Sequence, residues 1–82
     1  MDKQQYAVIF AYSFDNDVAV YLFDDVDKAK DFLRSDYQEE LRIERDENGF
    51  DVDGVIDSDG WWAEITYHSG GKVFMKIGKV YS

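Results

Sequence analysis

The sequence predicts a single α+β domain, an antiparallel ββαββ sheet with one helix packed on one face. Three observations carry this. Two short runs of apolar β-formers open the chain, one stretch of helical periodicity follows, and a cleanly alternating pair of segments closes it.

Tyr6-Ala7-Val8-Ile9-Phe10-Ala11-Tyr12 is nearly all apolar, the pattern of a central strand buried on both faces. Ser13-Phe14-Asp15-Asn16-Asp17 is a turn cluster. Val18-Ala19-Val20-Tyr21-Leu22-Phe23 reads as a second strand of the same kind, hairpinned to the first. Asp24-Asp25 then supplies a helix N-cap, because a short carboxylate accepts the orphan N–H groups of a first turn. Asp27 also suits the positive end of the helix dipole. Val26, Ala29, Phe32, Leu33, Tyr37 and Leu41 fall on one helical stripe. Ser35 with Gln38 forms a second capping box, a point where the helix can break or kink. Asn48-Gly49 stops it.

Residues 50–60 are an acidic, glycine-punctuated connection in which Val55-Ile56 can add a short strand before a turn at Asp59-Gly60. From Trp61 to His68 the faces alternate: Trp61, Ala63, Ile65 and Tyr67 against Trp62, Glu64, Thr66 and His68. A three-residue loop, Ser69-Gly70-Gly71 with Gly71 left-handed, sets Ile65 opposite Met75 and Glu64 opposite Lys76.

Residues 1–82 form one domain on this reading, small enough to bury only ~60% of the surface its unfolded chain exposes, so its six Phe, six Tyr and two Trp must supply most of the core. Without cysteine there are no disulfides, zinc thiolates or thiol nucleophiles, and a reducing cytoplasm is the expected setting. The polar start is not that of a signal peptide, and no apolar run approaches the ~20 residues of a membrane span. A net charge of −9, from 18 acids and nine bases, disfavours direct contact with nucleic acid or anionic membranes and favours a protein partner with a basic surface.

No constellation of catalytic residues stands out, and the chain reads as a non-enzyme without a cofactor. His68, the one histidine, has only Ser69 and Lys72 as predicted neighbours, and reads as an exposed hairpin residue. Asp51, Asp53, Asp57, Asp59 and Glu64 suggest calcium, but the EF-hand template fails: with Glu64 twelfth, Val55 holds a ligand position and Ser58 replaces the required glycine. A looser calcium site on Asp51, Asp53, Asp57 and Asp59 stays open. The helix carries a dense acidic periphery that includes Asp36, Glu39, Glu40 and Glu44. Rows of carboxylates can imitate duplex phosphate, spaced ~1.7 Å per charge along the axis. Interspersed Lys28, Lys30, Arg34, Arg42 and Arg45 soften that mimicry.

One helix covers one sheet face, yet the first strands are apolar on both, and the last hairpin puts Trp62 and Phe74 on its outer face. The 50–60 connection, a second protomer or a partner should cover what remains. The expected docking set is therefore Asp36, Glu39, Glu40, Glu44, Asp51, Asp53, Asp57 and Asp59 as charge, with Trp62 and Phe74 as anchors. A homodimer through the outer faces is the alternative.

The runs Tyr6–Asp24 and Asp59-Gly60-Trp61-Trp62-Ala63-Glu64-Ile65 resemble small acidic proteins of Gram-positive gut bacteria and their phages. The resemblance spans nearly the whole chain and carries no catalytic motif. It implies a mobile-element setting, and with it an inhibitor of a host defence protein such as a CRISPR nuclease.

Overall fold

A computed structural model describes residues 4–13 and 18–80. Five antiparallel strands, β1 Gln5–Tyr12, β2 Val18–Phe23, β3 Asp53–Ile56, β4 Trp62–Thr66 and β5 Lys72–Val80, form one sheet in the order β2-β1-β5-β4-β3. Among the described residues one α-helix, α1 Val26–Arg42, lies across one face, so the α+β class holds, with the short third strand making the order ββαβββ. The turn expected at Ser13–Asp17 lies, beyond Ser13, outside the described residues.

Helix α1 begins as its sequence dictates. Asp25 caps it, one carboxylate oxygen accepting the Asp27 N–H at 2.7 Å and the Lys28 N–H at 3.4 Å. Replacing Asp25 by Ala strands those donors, and we expect a loss of about 1 kcal/mol, read as a lower urea midpoint with an unchanged slope. The stripe residues Ala29, Leu33 and Tyr37 are buried. They meet Val8 and Phe10 of β1, Val73, Met75 and Ile77 of β5, and Ala63 and Ile65 of β4 in one core. No break occurs at Ser35. Its capping-box signal is overridden because the stripe continues through Tyr37 and Leu41 onto the sheet. The irregularity comes later, as a π-helical turn over Ile43–Glu47 that ends at Asn48, where the stop was expected.

Three strand expectations change. The central strand is β5, with β1 beside it. Strand β2 is an edge, and Val18, Val20 and Leu22 on its outer side are exposed rather than buried. A run of apolar residues marks β structure but does not reveal whether a second layer exists to cover it.

The last hairpin also shifts register by two. Thr66 pairs Lys72, Ile65 pairs Val73, and Ala63 pairs Met75. Glu64 therefore faces Phe74, not Lys76. The loop keeps its expected three residues but slides back one position, to His68-Ser69-Gly70: the Tyr67 N–H donates to the Gly71 carbonyl at 2.7 Å and the Gly70 N–H to the Tyr67 carbonyl at 2.9 Å. Gly70, at φ 91°, takes the left-handed position expected of Gly71. A shift of two preserves every face, so Ala63, Ile65, Val73 and Met75 still point to the helix.

The 50–60 connection does not cover the outer face. Val52 is buried in the helix-side core, and β3 widens the sheet at its edge. Gly54 lies where the Tyr37 ring approaches closest: a Cβ there would stand 2.5 Å from the Tyr37 hydroxyl and 3.0 Å from both Leu41 methyls.

Candidate functional site

The strand registers assign the outer face row by row. One row runs Val18, Ala11, Phe74, Glu64, Val55, and the next Val20, Ile9, Lys76, Trp62. Leu22, Ala7 and Gly78 make a third. Val18, Val20, Leu22 and Val55 are each more than half exposed, and Trp62 and Phe74 are each 38% exposed. The two aromatic rings stack at 6.2 Å, 15° from parallel, and with Val55 and Glu64 they border a shallow groove of about 500 Å³. Ala7, Ala11 and Gly78 leave low positions on β1 and β5, on either side of the row that holds Ile9 and Lys76. The face is also close to neutral. Lys72 and Lys76 stand against Asp53 and Glu64, with Lys72 Nζ 3.9 Å from a Glu64 oxygen. The excess negative charge is carried by the rest of the chain.

The other side differs in kind. Where α1 passes into its π turn, the helix, the end of β1 and the end of β4 leave a cleft of about 430 Å³. Its walls are Tyr12, Tyr67, Phe50 and His68, with Glu40 and Glu44 along the helix rim. The Phe50 and His68 rings stack at 5.5 Å and are within 8° of parallel. The Tyr67 hydroxyl donates to Glu40 Oε1 at 3.0 Å. Burial first, then that hydrogen bond, raises the Tyr67 phenol well above the usual tyrosine range, so it stays a neutral donor. A smaller hollow of about 150 Å³ adjoins it, sharing Tyr12, Glu40 and Tyr67 and adding Asp36 and Glu39.

These carboxylates are not equivalent. Glu39 is bound to Arg42 at 2.6 Å, and that hydrogen bond, then the guanidinium charge, lowers its pKa. Arg42 also reaches Glu47 at 3.5 Å. Asp36 shifts the other way, raised by burial and then by the neighbouring Glu39. A carboxyl raised in the folded state favours folding while protonated and costs stability once pH rises through its folded pKa. Asp36→Asn should therefore melt higher than the parent near neutral pH, with the advantage shrinking to nothing as pH falls below the ordinary carboxylate range of ~4. A pH series of thermal melts checks this.

The expected docking set is thus split. Asp36, Glu39, Glu40 and Glu44 converge on the helix side, whereas Trp62, Phe74 and Asp53 lie on the opposite face of the sheet. Asp57 is engaged in its own turn, accepting the Trp61 N–H at 3.1 Å. Asp51 and Asp59 are exposed in the connection. Among the described residues no three acidic or histidine side chains converge to hold a metal ion. His68 is exposed in its hairpin, but its stacking on Phe50 could not be foreseen, since the two stand 18 positions apart with two strands and a turn between. Alternation placed Tyr67 on the helix side, yet nothing in the sequence pointed it at Glu40.

Comparison with family models, curated proteins and solved structures found no match. Among the described residues no helix is long and apolar enough to cross a membrane.

Proposed function

We propose that the chain is a non-enzymatic interaction module that binds a basic protein surface on its acidic helix side and pairs its uncovered sheet face with a second copy of itself. The observation that supports this is the segregation of the two surfaces: apolar, nearly neutral side chains on one side of the sheet, and clustered carboxylates on the other.

A second copy suits the sheet face better than a basic partner does. A face with two lysines and two acids offers a cation no net attraction, but lets two copies meet without stacking like charge on like. Rotation about a two-fold axis would pack the aromatic pair of one copy against the aliphatic side chains of the other, sheet on sheet ~10 Å apart. Five strands spaced ~4.8 Å apart and roughly six residues long span about 500 Å² per copy. That lies near the lower end of specific interfaces and fits a weak, concentration-dependent dimer. Each helix would then face outward.

The outward acidic side selects the partner by charge. A nucleic-acid-binding protein offers such a basic surface, and a mobile-element inhibitor of a host defence nuclease is the form of this reading that the sequence resemblance suggests. Two measurements test it. Sedimentation from ~1 to ~200 µM should show conversion of one chain to two. Immobilised protein should retain basic nucleic-acid-binding proteins from a bacterial lysate at low salt and release them as ionic strength rises. A monomer throughout the range removes the pairing, and salt-insensitive retention removes the electrostatic partner.

A further inference from the structure

We infer that the aromatic cleft beside Glu40 and Glu44 is a receptor for an arginine side chain of the partner. The inference rests on reading the helix side as the partner-facing one, and it names the chemistry that side selects. Glu40 and Glu44 stand on successive turns at the rim of one cavity. Neither has a lysine or arginine nitrogen within 4 Å among the described residues, whereas the adjacent Glu39 is already taken by Arg42. The Tyr67 hydroxyl holds the Glu40 carboxylate at the mouth. The walls below are four rings, and Phe50, half exposed, lies flat against His68.

A compact cation would use the carboxylates alone. A guanidinium uses both parts of the site: its plane stacks on an aromatic face while its N–H fork meets carboxylate oxygens. The methylene stem of the same side chain fits between apolar walls. A cleft of about 430 Å³ has room for one such side chain. Ammonium, strongly hydrated and without a plane, gains less from the rings.

The test is an NMR titration of the whole chain with N-acetyl-arginine methylamide, run beside N-acetyl-lysine methylamide and sodium chloride at equal ionic strength. The arginine probe should shift signals of Tyr12, Phe50, Tyr67 and His68 in a saturable way, and more strongly than the lysine probe. The variant Glu40→Gln with Glu44→Gln keeps an acceptor for Tyr67 and should weaken binding about fivefold or more. Phe50→Ala, which removes an exposed ring, should weaken it too, while Glu64→Gln on the opposite face should not. Shifts no larger than those from salt, equal response to lysine, or unchanged binding in the double Gln variant each overturn the assignment. Saturable arginine binding without any retained basic protein would support the cleft and remove the proposed partner. A retained partner indifferent to the double Gln and Phe50→Ala variants would do the reverse.

Discussion

Replacing Leu33 by Ala should lower the melting temperature by roughly 10–25 °C. Leu33 is fully buried and ranks with Ile65, Val8 and Val73 among the largest side chains so enclosed. It sits at the middle of the α1 stripe, where the helix meets β1, β4 and β5 together. Truncation removes apolar contact and leaves a cavity that the sheet below cannot collapse into, at a cost of about 2–5 kcal/mol. A domain of this length holds only about 4–12 kcal/mol in total, so one methyl cluster is a large share of it. Leu22→Ala is the matched control: the same truncation on the outer face, where the side chain is 58% exposed, should shift stability by no more than about 0.5 kcal/mol in dilute protein. Thermal melts of both variants followed by circular dichroism check the contrast. Equal shifts would mean that the helix does not cover the face assigned to it.

Phe74→Lys should convert the proposed dimer to a monomer while leaving the fold intact. Phe74 stacks on Trp62, faces Glu64 of β4 and sits on the central strand of the sheet. In a single chain its substitution costs little, because the ring is already 38% exposed and the new ammonium can reach water. In a face-to-face pair the same ammonium would be buried near the two-fold axis. Loss of a central aromatic anchor is worth about 2 kcal/mol or more, and an unpaired buried charge adds to that, so the dimer should weaken by at least about thirtyfold. Sedimentation at ~100 µM would show the mass fall from two chains to one, with an unchanged far-ultraviolet spectrum. A variant that stays dimeric would place the contact elsewhere, most simply along the open edge of β2, where unpaired backbone groups can add a strand. The outcome separates the two modes, since Phe74 lies two strands away from that edge.

Much of the architecture was legible in the residues because it follows from short-range rules. Asp25 caps α1 since a carboxylate two residues upstream of an N–H is a local geometry. Alternation from Trp61 onward assigns faces because a strand's side chains repeat every two positions, and the two-residue slip at the last hairpin left those faces unaltered. The Ser35 signal misled because a local capping preference of about 1 kcal/mol is smaller than the burial of Tyr37 and Leu41 that a continuous helix secures.

The candidate surfaces were legible only in composition. The acids and the aromatics were evident, but the expectation joined Glu40 and Trp62 in one docking set, and the sheet stands between them. Which face α1 occupies decides which residues share a surface, and that choice depends on contacts of α1 with β1, β4 and β5, and of β1 with β5, that are distant in sequence.

Taken alone, the sequence determined the α+β class, the helix ends, the two-faced strands and the charge of −9, because each depends on neighbours within a turn or a pleat. Tertiary structure decided the rest. It set β5 at the centre and β2 at the edge, left Trp62 and Phe74 uncovered, and gathered Tyr12, Phe50, Tyr67 and His68 around Glu40 and Glu44. The physical reason is that coverage of a face and enclosure of a cleft are properties of layers meeting in space, and no local pattern records which layer is absent.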